Sequence, residues 1–281
     1  MFYGDMELKR KRAMAKVHTA LRAGNGHTLL STGITGDDAR IAKAVCDVGV
    51  RMLEPNHPAV ALARGHRGIC TMSAAEEYRH EITLAQMAEV VRGVRSVVSD
   101  DVYITAGIPG NFPEKIPVLL REEDFASISA AGADGLHTHK VDMRDLEQVV
   151  NTAHHFGLCV DAYICRSTDP HPAGIFADTP EDVAQVAKSM EDMGVDMIGL
   201  MTGMTYQGVD AKAIPAEIKE RLEALVETVS VPTLAEGGIN LNNFQAFRDT
   251  KVNILVVGTS IDQALQQRAG EMVAQYMNFY K

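Results

Sequence analysis

Two stretches near the C-terminus, Leu234-Ala-Glu-Gly-Gly-Ile239 and Leu255-Val-Val-Gly-Thr-Ser-Ile261, decide the architecture. Each is an apolar run of strand character that ends in glycine, and two such turns at neighbouring strand ends present backbone N–H groups to one phosphate. Upstream lie six further β-rich runs: Thr28–Thr32, Val50–Glu54, Val102–Ala106, Gly135–His139, Cys159–Ile164 and Met197–Thr202; Thr233–Glu236 and Ile254–Val257 complete the series. They alternate with longer segments of helical period, a pattern that calls for parallel strands joined by crossover helices. Eight such units in 281 residues fit a closed (β/α)8 barrel better than an open doubly wound sheet, and no G-x-G-x-x-G follows the first strand. The expected fold is therefore α/β, a TIM barrel over residues 25–281. Residues 1–24 are expected to add an N-terminal helix under the barrel or at a subunit contact, which is compatible with a homodimer.

The intervening segments predict helices over Asp37–Val48, Ala74–Val98, Glu122–Ala131, Asp145–Phe156, Pro180–Met193 and Ala216–Thr228. Asp178-Thr-Pro-Glu-Asp182 is a helix start, with Thr179 as N-cap, Pro180 at the first helical position and acids in the first turn. Gly49, Gly132, Gly157 and Gly194 close helical runs just before strands. A weak repeat accompanies them: Asp47-Val-Gly-Val-Arg-Met52 returns as Asp192-Met-Gly-Val-Asp-Met197, and Ala131-Gly-Ala-Asp134 plays the same part, each a helix end feeding a strand.

With 37 acidic against 27 basic residues the formal charge is −10, which argues against a nucleic-acid surface, where Lys and Arg must replace counterions. The basic run Lys9-Arg-Lys-Arg12 reads as a solvated helix face. The fourteen methionines read as core filling. Cysteines 46, 70, 159 and 165 show no C-x-x-C spacing, and no segment approaches the apolar length of a membrane span or signal peptide. A soluble, cytoplasmic protein without membrane partners is the expectation.

Strand C-termini form the active face of such a barrel. The candidates there are Glu54 after the second run; His137, His139 and Lys140 at the fourth; Asp161 and Arg166 at the fifth; Thr202 after the sixth; and Glu236 after the seventh. Glu54 and Glu236 can face each other across the mouth, the arrangement that proton transfer beside a carbonyl needs. His137 and His139 differ by two and share one strand face. That spacing suits two metal ligands, but neither Glu54 nor Asp161 completes a recognisable ligand set, so a divalent ion is compatible and not indicated. His139, nearest the strand end, is the better acid/base candidate. Lys140 reads as a Schiff-base amine, an anion clamp or a solvated residue. Asp161, inside an apolar run, requires a partner: either it faces the cavity, or it pairs with Lys140 or Arg166. His154-His155 reads as surface. The glycine-rich loops Thr105–Pro117 and Thr202–Ile214 read as substrate covers.

Ala131-Gly-Ala-Asp134 leading to His139, Asp196-Met-Ile-Gly-Leu-Met-Thr202, Val231-Pro-Thr-Leu-Ala-Glu-Gly-Gly-Ile239 and Ile254-Leu-Val-Val-Gly-Thr-Ser-Ile261 together resemble the ribulose-phosphate-binding barrel superfamily. The stretch from Arg121 to Asp262 looks most like the N-acetylmannosamine-6-phosphate 2-epimerase, ribulose-phosphate 3-epimerase and 3-keto-L-gulonate-6-phosphate decarboxylase families. The resemblance implies that Gly237, Gly238, Gly258 and Thr259 bind a substrate phosphate. It also implies that Glu236 acts in proton transfer and that His139 matches a strand-four histidine. The decarboxylase motif D-x-K-x-x-D has no counterpart in Ile104-Thr-Ala-Gly-Ile-Pro-Gly110. The metal-binding His and Asp residues of the pentulose epimerases and the early lysine of the aminosugar epimerases are likewise unmatched. The activity expected is epimerisation or isomerisation of a sugar phosphate, with Thr202 and Arg166 as further substrate contacts. A keto-sugar-phosphate aldolase or lyase using Lys140, and a barrel that binds a phosphometabolite without turnover, are the alternatives.

Overall fold

The computed structural model describes residues 3–24, 29–32, 38–64, 66–108, 120–169, 173–203 and 213–280. Its strands are β1 (Leu29–Thr32), β2 (Met52–Leu53), β3 (Tyr103–Gly107), β4 (Gly135–Thr138), β5 (Cys159–Cys165), β6 (Ile175–Phe176), β7 (Met197–Met201), β8 (Thr233–Glu236) and β9 (Ile254–Val257). Every pairing is parallel, β9 returns to β1, and β4 pairs with β5, so eight strands close a (β/α)8 barrel. The two-residue β6 lies outside the ring on β5 and was not expected.

The helices are α1 (Tyr3–Ala23), α2 (Ala39–Asp47), α3 (His57–Ala63), α4 (Met72–Glu76), α5 (Leu84–Arg95), α6 (Glu122–Ala130), α7 (Met143–His155), α8 (Pro180–Met193), α9 (Ala216–Thr228), α10 (Phe244–Asp249) and α11 (Thr259–Met277). The single helix expected over 74–98 is two, and α3 precedes them. Thr83 breaks it: its hydroxyl accepts the Gln86 N–H at 3.2 Å while the Gln86 side chain accepts the Thr83 N–H at 2.8 Å, a reciprocal cap that starts α5 afresh. Thr179 caps α8 as expected, and Gly194 ends it with φ of 101°, a conformation that favours glycine. No described helix is long and apolar enough to cross a membrane.

Strand side chains alternate between the barrel interior and the helix layer. Ile104, Leu136, Val160, Ala162, Ile198 and Leu255 face outward into the main core, against residues such as Val91, Ile128, Val150, Met190 and Leu222. Tyr103, Cys159, Tyr163, Met197, Leu234 and Ile254 fill the interior, joined from below by Ala13 and Val17 of α1. The interior holds two tyrosines because glycines stand opposite them: a methyl at Gly135 would run into the Tyr103 hydroxyl, and one at Gly199 into the Tyr163 ring.

The basic run of α1 is split: Lys11 and Arg12 are exposed, as expected of a solvated face, while Lys9 and Arg10, with Lys16 beyond the run, dock the helix. Lys9 donates to Ser129 O at 2.9 Å, Arg10 pairs with Asp196 at 2.7 Å and Lys16 pairs with Asp134 at 2.7 Å. His154, read as surface, joins this layer through Asp196 at 2.8 Å. The aspartates explain part of the weak repeat: Asp134 accepts the Ile104 N–H at 3.0 Å and Asp196 the Val160 N–H at 2.9 Å, tying each strand start to its neighbour. The four cysteines are unbridged.

Gly199→Ala is expected to destabilise the protein by about 1–3 kcal/mol through overpacking against Tyr163, read as a lower urea midpoint at unchanged slope. A midpoint equal to that of the parent would show that the Tyr163 ring moves aside freely.

Candidate functional site

The site grows from alternation on four strands. His137 of β4 and Asp161 of β5 are register partners, and Thr105 of β3 lies one strand away on the same inward face. The Thr105 hydroxyl donates to Asp161 Oδ1 at 2.5 Å, and His137 Nδ1 meets Asp161 Oδ2 at 2.7 Å. Asp161 is fully buried, and its partners are these two residues and neither Lys140 nor Arg166. Two residues on, His139 turns into the same space: its Nε2 lies 2.8 Å from His137 Nε2, and its Nδ1 lies 3.1 Å from the Ala173 carbonyl.

The two glutamates close around these rings. Glu54 follows β2 and Glu236 ends β8, and their oxygens lie 3.6 and 3.8 Å from His137 Nε2. Both Glu54 oxygens and Glu236 Oε2 are buried and close no hydrogen bond within bonding distance and angle among the described residues, although Asn56 and the Tyr163 hydroxyl stand near enough to favour the two carboxylates. Glu54 is sealed, whereas Glu236 keeps 21% of its side chain exposed. Burial drives the Glu54 carboxyl well above the usual carboxylate range against the pull of His137. Burial also raises Glu236, opposed by His137 and the Tyr163 hydroxyl. Burial alone would depress His137, but the carboxylates of Glu54, Asp161 and Glu236 reverse this and hold the imidazole up to about 10. His139 goes the other way, pushed well below its ordinary value by burial and by the neighbouring His137 and Arg79.

The glycine turns lie side by side, since β8 pairs with β9. Gly237 and Gly238 have φ of 107° and 66°. The Thr202 hydroxyl donates to Gly237 O at 2.6 Å, and the Asn243 side-chain amide donates to Gly238 O at 3.0 Å. The turn's carbonyls are thus anchored in protein, while its N–H groups donate to no acceptor among the described residues. Gly258 precedes Thr259, the first residue of α11. Thr202 therefore shapes the turn. Arg166 is engaged with Asp169 at 3.1 Å and Glu217 at 2.5 Å, in a pair layer of its own. Lys140 is buried at the end of β4. Most of the two glycine-rich loops, residues 109–119 and 204–212, lies outside the described residues.

Sequence reasoning missed one layer. Between β2 and α5 the chain inserts α3 and α4, which bring the buried residues His57 and Arg79 to the site, with Arg79 paired to Glu76 at 3.3 Å. Neither ring nitrogen of His57 has a hydrogen-bond partner among the described residues. Burial, with Arg79 and His137 nearby, lowers it to about 3. The signal was Glu54-Pro-Asn-His57, which puts a histidine one turn past a strand-end glutamate.

No protein-family model and no curated protein sequence matches the chain. Solved structures share its fold. A mutant tryptophan synthase alpha-subunit from Pyrococcus furiosus is 14% identical with a TM-score of 0.61, covering 86% of this chain and 91% of that one. Tryptophan synthase from M. tuberculosis, in an aminoacrylate-bound form, is 13% identical with a TM-score of 0.61, covering 90% and 92%. A phosphonopyruvate hydrolase in complex with oxalate and Mg2+ is 15% identical with a TM-score of 0.60, covering 93% and 87%. These likenesses establish the TIM-barrel fold and no particular family.

His57 carries a pH prediction. A histidine whose folded value is depressed leaves the unfolded chain to take the proton first, so stability falls as pH drops from about 6.5 toward 3. Between pH 7 and pH 5 this residue should remove about 2 kcal/mol of stability, and His57→Asn should abolish that part of the fall in urea titrations. An identical pH dependence in the variant would show that His57 accepts its proton in the folded state.

Proposed function

We propose that the chain is an enzyme that moves a proton at a carbon beside a carbonyl of a phosphorylated sugar, as an epimerase or isomerase. The observation that carries this reading is the pair of buried carboxylates, Glu54 and Glu236, lying 3.6 and 3.8 Å from one imidazole nitrogen at the barrel mouth. Removing a proton from carbon near neutral pH needs a base whose affinity for protons is above that of an ordinary carboxylate, and both glutamates are shifted that way. Two such groups can act on one carbon, one withdrawing the proton and the other returning it. The charge that develops on the carbonyl oxygen would fall next to the His137 imidazole.

The Gly237–Gly238 turn and the start of α11 supply the other end of the site, where anchored carbonyls leave N–H groups for a phosphate. The resemblance of the second half to ribulose-phosphate-binding barrels supports the same substrate class. Solved barrels of this shape include enzymes, which supports turnover over passive binding. The burial of Lys140 keeps a carbon–carbon lyase as the second reading, which borohydride trapping at Lys140 separates.

Incubation of a sugar-phosphate panel in D2O, followed by NMR, is expected to show exchange of one substrate C–H without chain cleavage. Glu54→Gln and Glu236→Gln should each slow that exchange about 100-fold or more. Full exchange in Glu236→Gln would remove it from the chemistry, and a panel that neither binds nor exchanges would overturn the reading.

A further inference from the structure

The buried Glu236 Oε2 and the two facing imidazole nitrogens lie together at the barrel mouth. We propose that His137 Nε2, His139 Nε2 and Glu236 Oε2 bind a divalent transition-metal ion, with Glu54 standing on its open side.

The tautomers follow from the partners. A backbone carbonyl only accepts, so the bond to Ala173 O puts the His139 proton on Nδ1. Asp161 accepts from Thr105 and takes a second bond from His137 Nδ1. Each ring then turns Nε2 toward the other at 2.8 Å, a pair that either one shared proton or a cation ligated by both nitrogens would hold. Carboxylate and carbonyl acceptors on the remote nitrogen are also how proteins orient imidazoles toward metals.

Distances fit one ion. Two nitrogens about 2.1 Å from one metal lie about 3.0 Å apart at octahedral right angles and about 3.4 Å apart at tetrahedral angles, and the 2.8 Å between the two Nε2 atoms is nearer the first. Ligand atoms of His137, His139 and Glu236 all lie within 4.8 Å of one another. A single proton on His137 could satisfy His139, but it would leave Glu236 Oε2 buried with no hydrogen bond to a described residue. A divalent ion would take up that oxygen together with both Nε2 atoms. Two imidazoles and one carboxylate with an open side favour zinc, manganese or iron(II) over magnesium or calcium, which prefer all-oxygen sites.

The set comes from β4 and β8, with its supports on β3 and β5, so it is built on the rigid barrel. Glu236 would give Oε2 to the ion and keep its other oxygen for proton exchange, while Glu54 stays clear as a base. The ion would polarise the substrate's carbonyl oxygen as a Lewis acid. The metal site is argued from protein atoms alone, so it stands or falls separately from the sugar-phosphate reading.

The test uses the full chain, stripped with chelator and titrated with Co2+ while its visible absorption is followed, alongside elemental analysis of the protein as purified. About one ion per chain is expected. His139→Gln and Glu236→Gln should lose the Co2+ band, with circular dichroism confirming that each is folded. Asp161→Asn, which removes no ligand, should weaken binding about 10- to 100-fold, and His154→Gln, at the far end of the barrel, should bind like the parent. If the folded parent takes up no Co2+, or if His139→Gln binds as tightly as the parent, the proposal is overturned. Should either ligand variant fail to fold, the Asp161→Asn titration decides: unweakened binding overturns the proposal. An ion bound without any sugar-phosphate turnover would sink only the substrate reading. Exchange that persists after complete chelation would sink the metal's part in it.

Discussion

The hydrogen bond between His137 and Asp161, 2.7 Å long and sealed inside the barrel, is the constraint on which the candidate site depends. It sets the orientation of the His137 ring and hence where Nε2 points. Thr105 occupies the other Asp161 oxygen, so the carboxylate cannot rotate away. His139, Glu54 and Glu236 are then arranged around a nitrogen whose position is already determined. A buried carboxylate with two such partners is a stable anchor, whereas the same group alone would carry a large desolvation cost.

The fold supplies that anchor by filling the rest of the interior. Tyr103 and Tyr163 occupy the volume that Gly135 and Gly199 leave open, and the Tyr163 ring lies against both histidines, with centroids 4.8 and 5.1 Å away. Below them α1 plugs the barrel through Ala13 and Val17 and is clamped by Asp134 and Asp196. The clamp sits at strand starts and the candidate site at strand ends, so the two occupy opposite faces of the barrel.

Much of this was legible in the sequence because barrel strands announce themselves by apolar runs and by the polar or glycine residues at their C-terminal ends. All eight ring strands fall on the expected runs, and Glu54, His139 and Glu236 meet where strand-end logic places them. What the sequence hid was contact across the barrel. Asp161 could not be matched to Thr105 and His137 because residues adjacent in register are far apart in the chain, and Lys140 and Arg166 looked like better partners by charge. The docking of Lys9 and Arg10 was hidden because their acceptors, Ser129 and Asp196, lie far away in the chain, while Lys11 and Arg12 are exposed as their charge suggested. Arg79 falls inside the single helix expected over Ala74–Val98, because Thr83-x-x-Gln86 is a short signal inside a long helical period, and His57 precedes it in a stretch that carries no clear period of its own.

Protonation of the two facing imidazoles is the most direct measure of this account. Long-range proton–nitrogen correlation NMR on 15N-histidine-labelled protein reports which ring nitrogens carry hydrogen. With an ion bound, His137 and His139 are expected to carry their protons on Nδ1 alone, and a chelator is expected to shift both Nε2 resonances together and return a proton to His137 Nε2. A His139 ring protonated on Nε2, or a doubly protonated His137 unchanged by chelator, would contradict it.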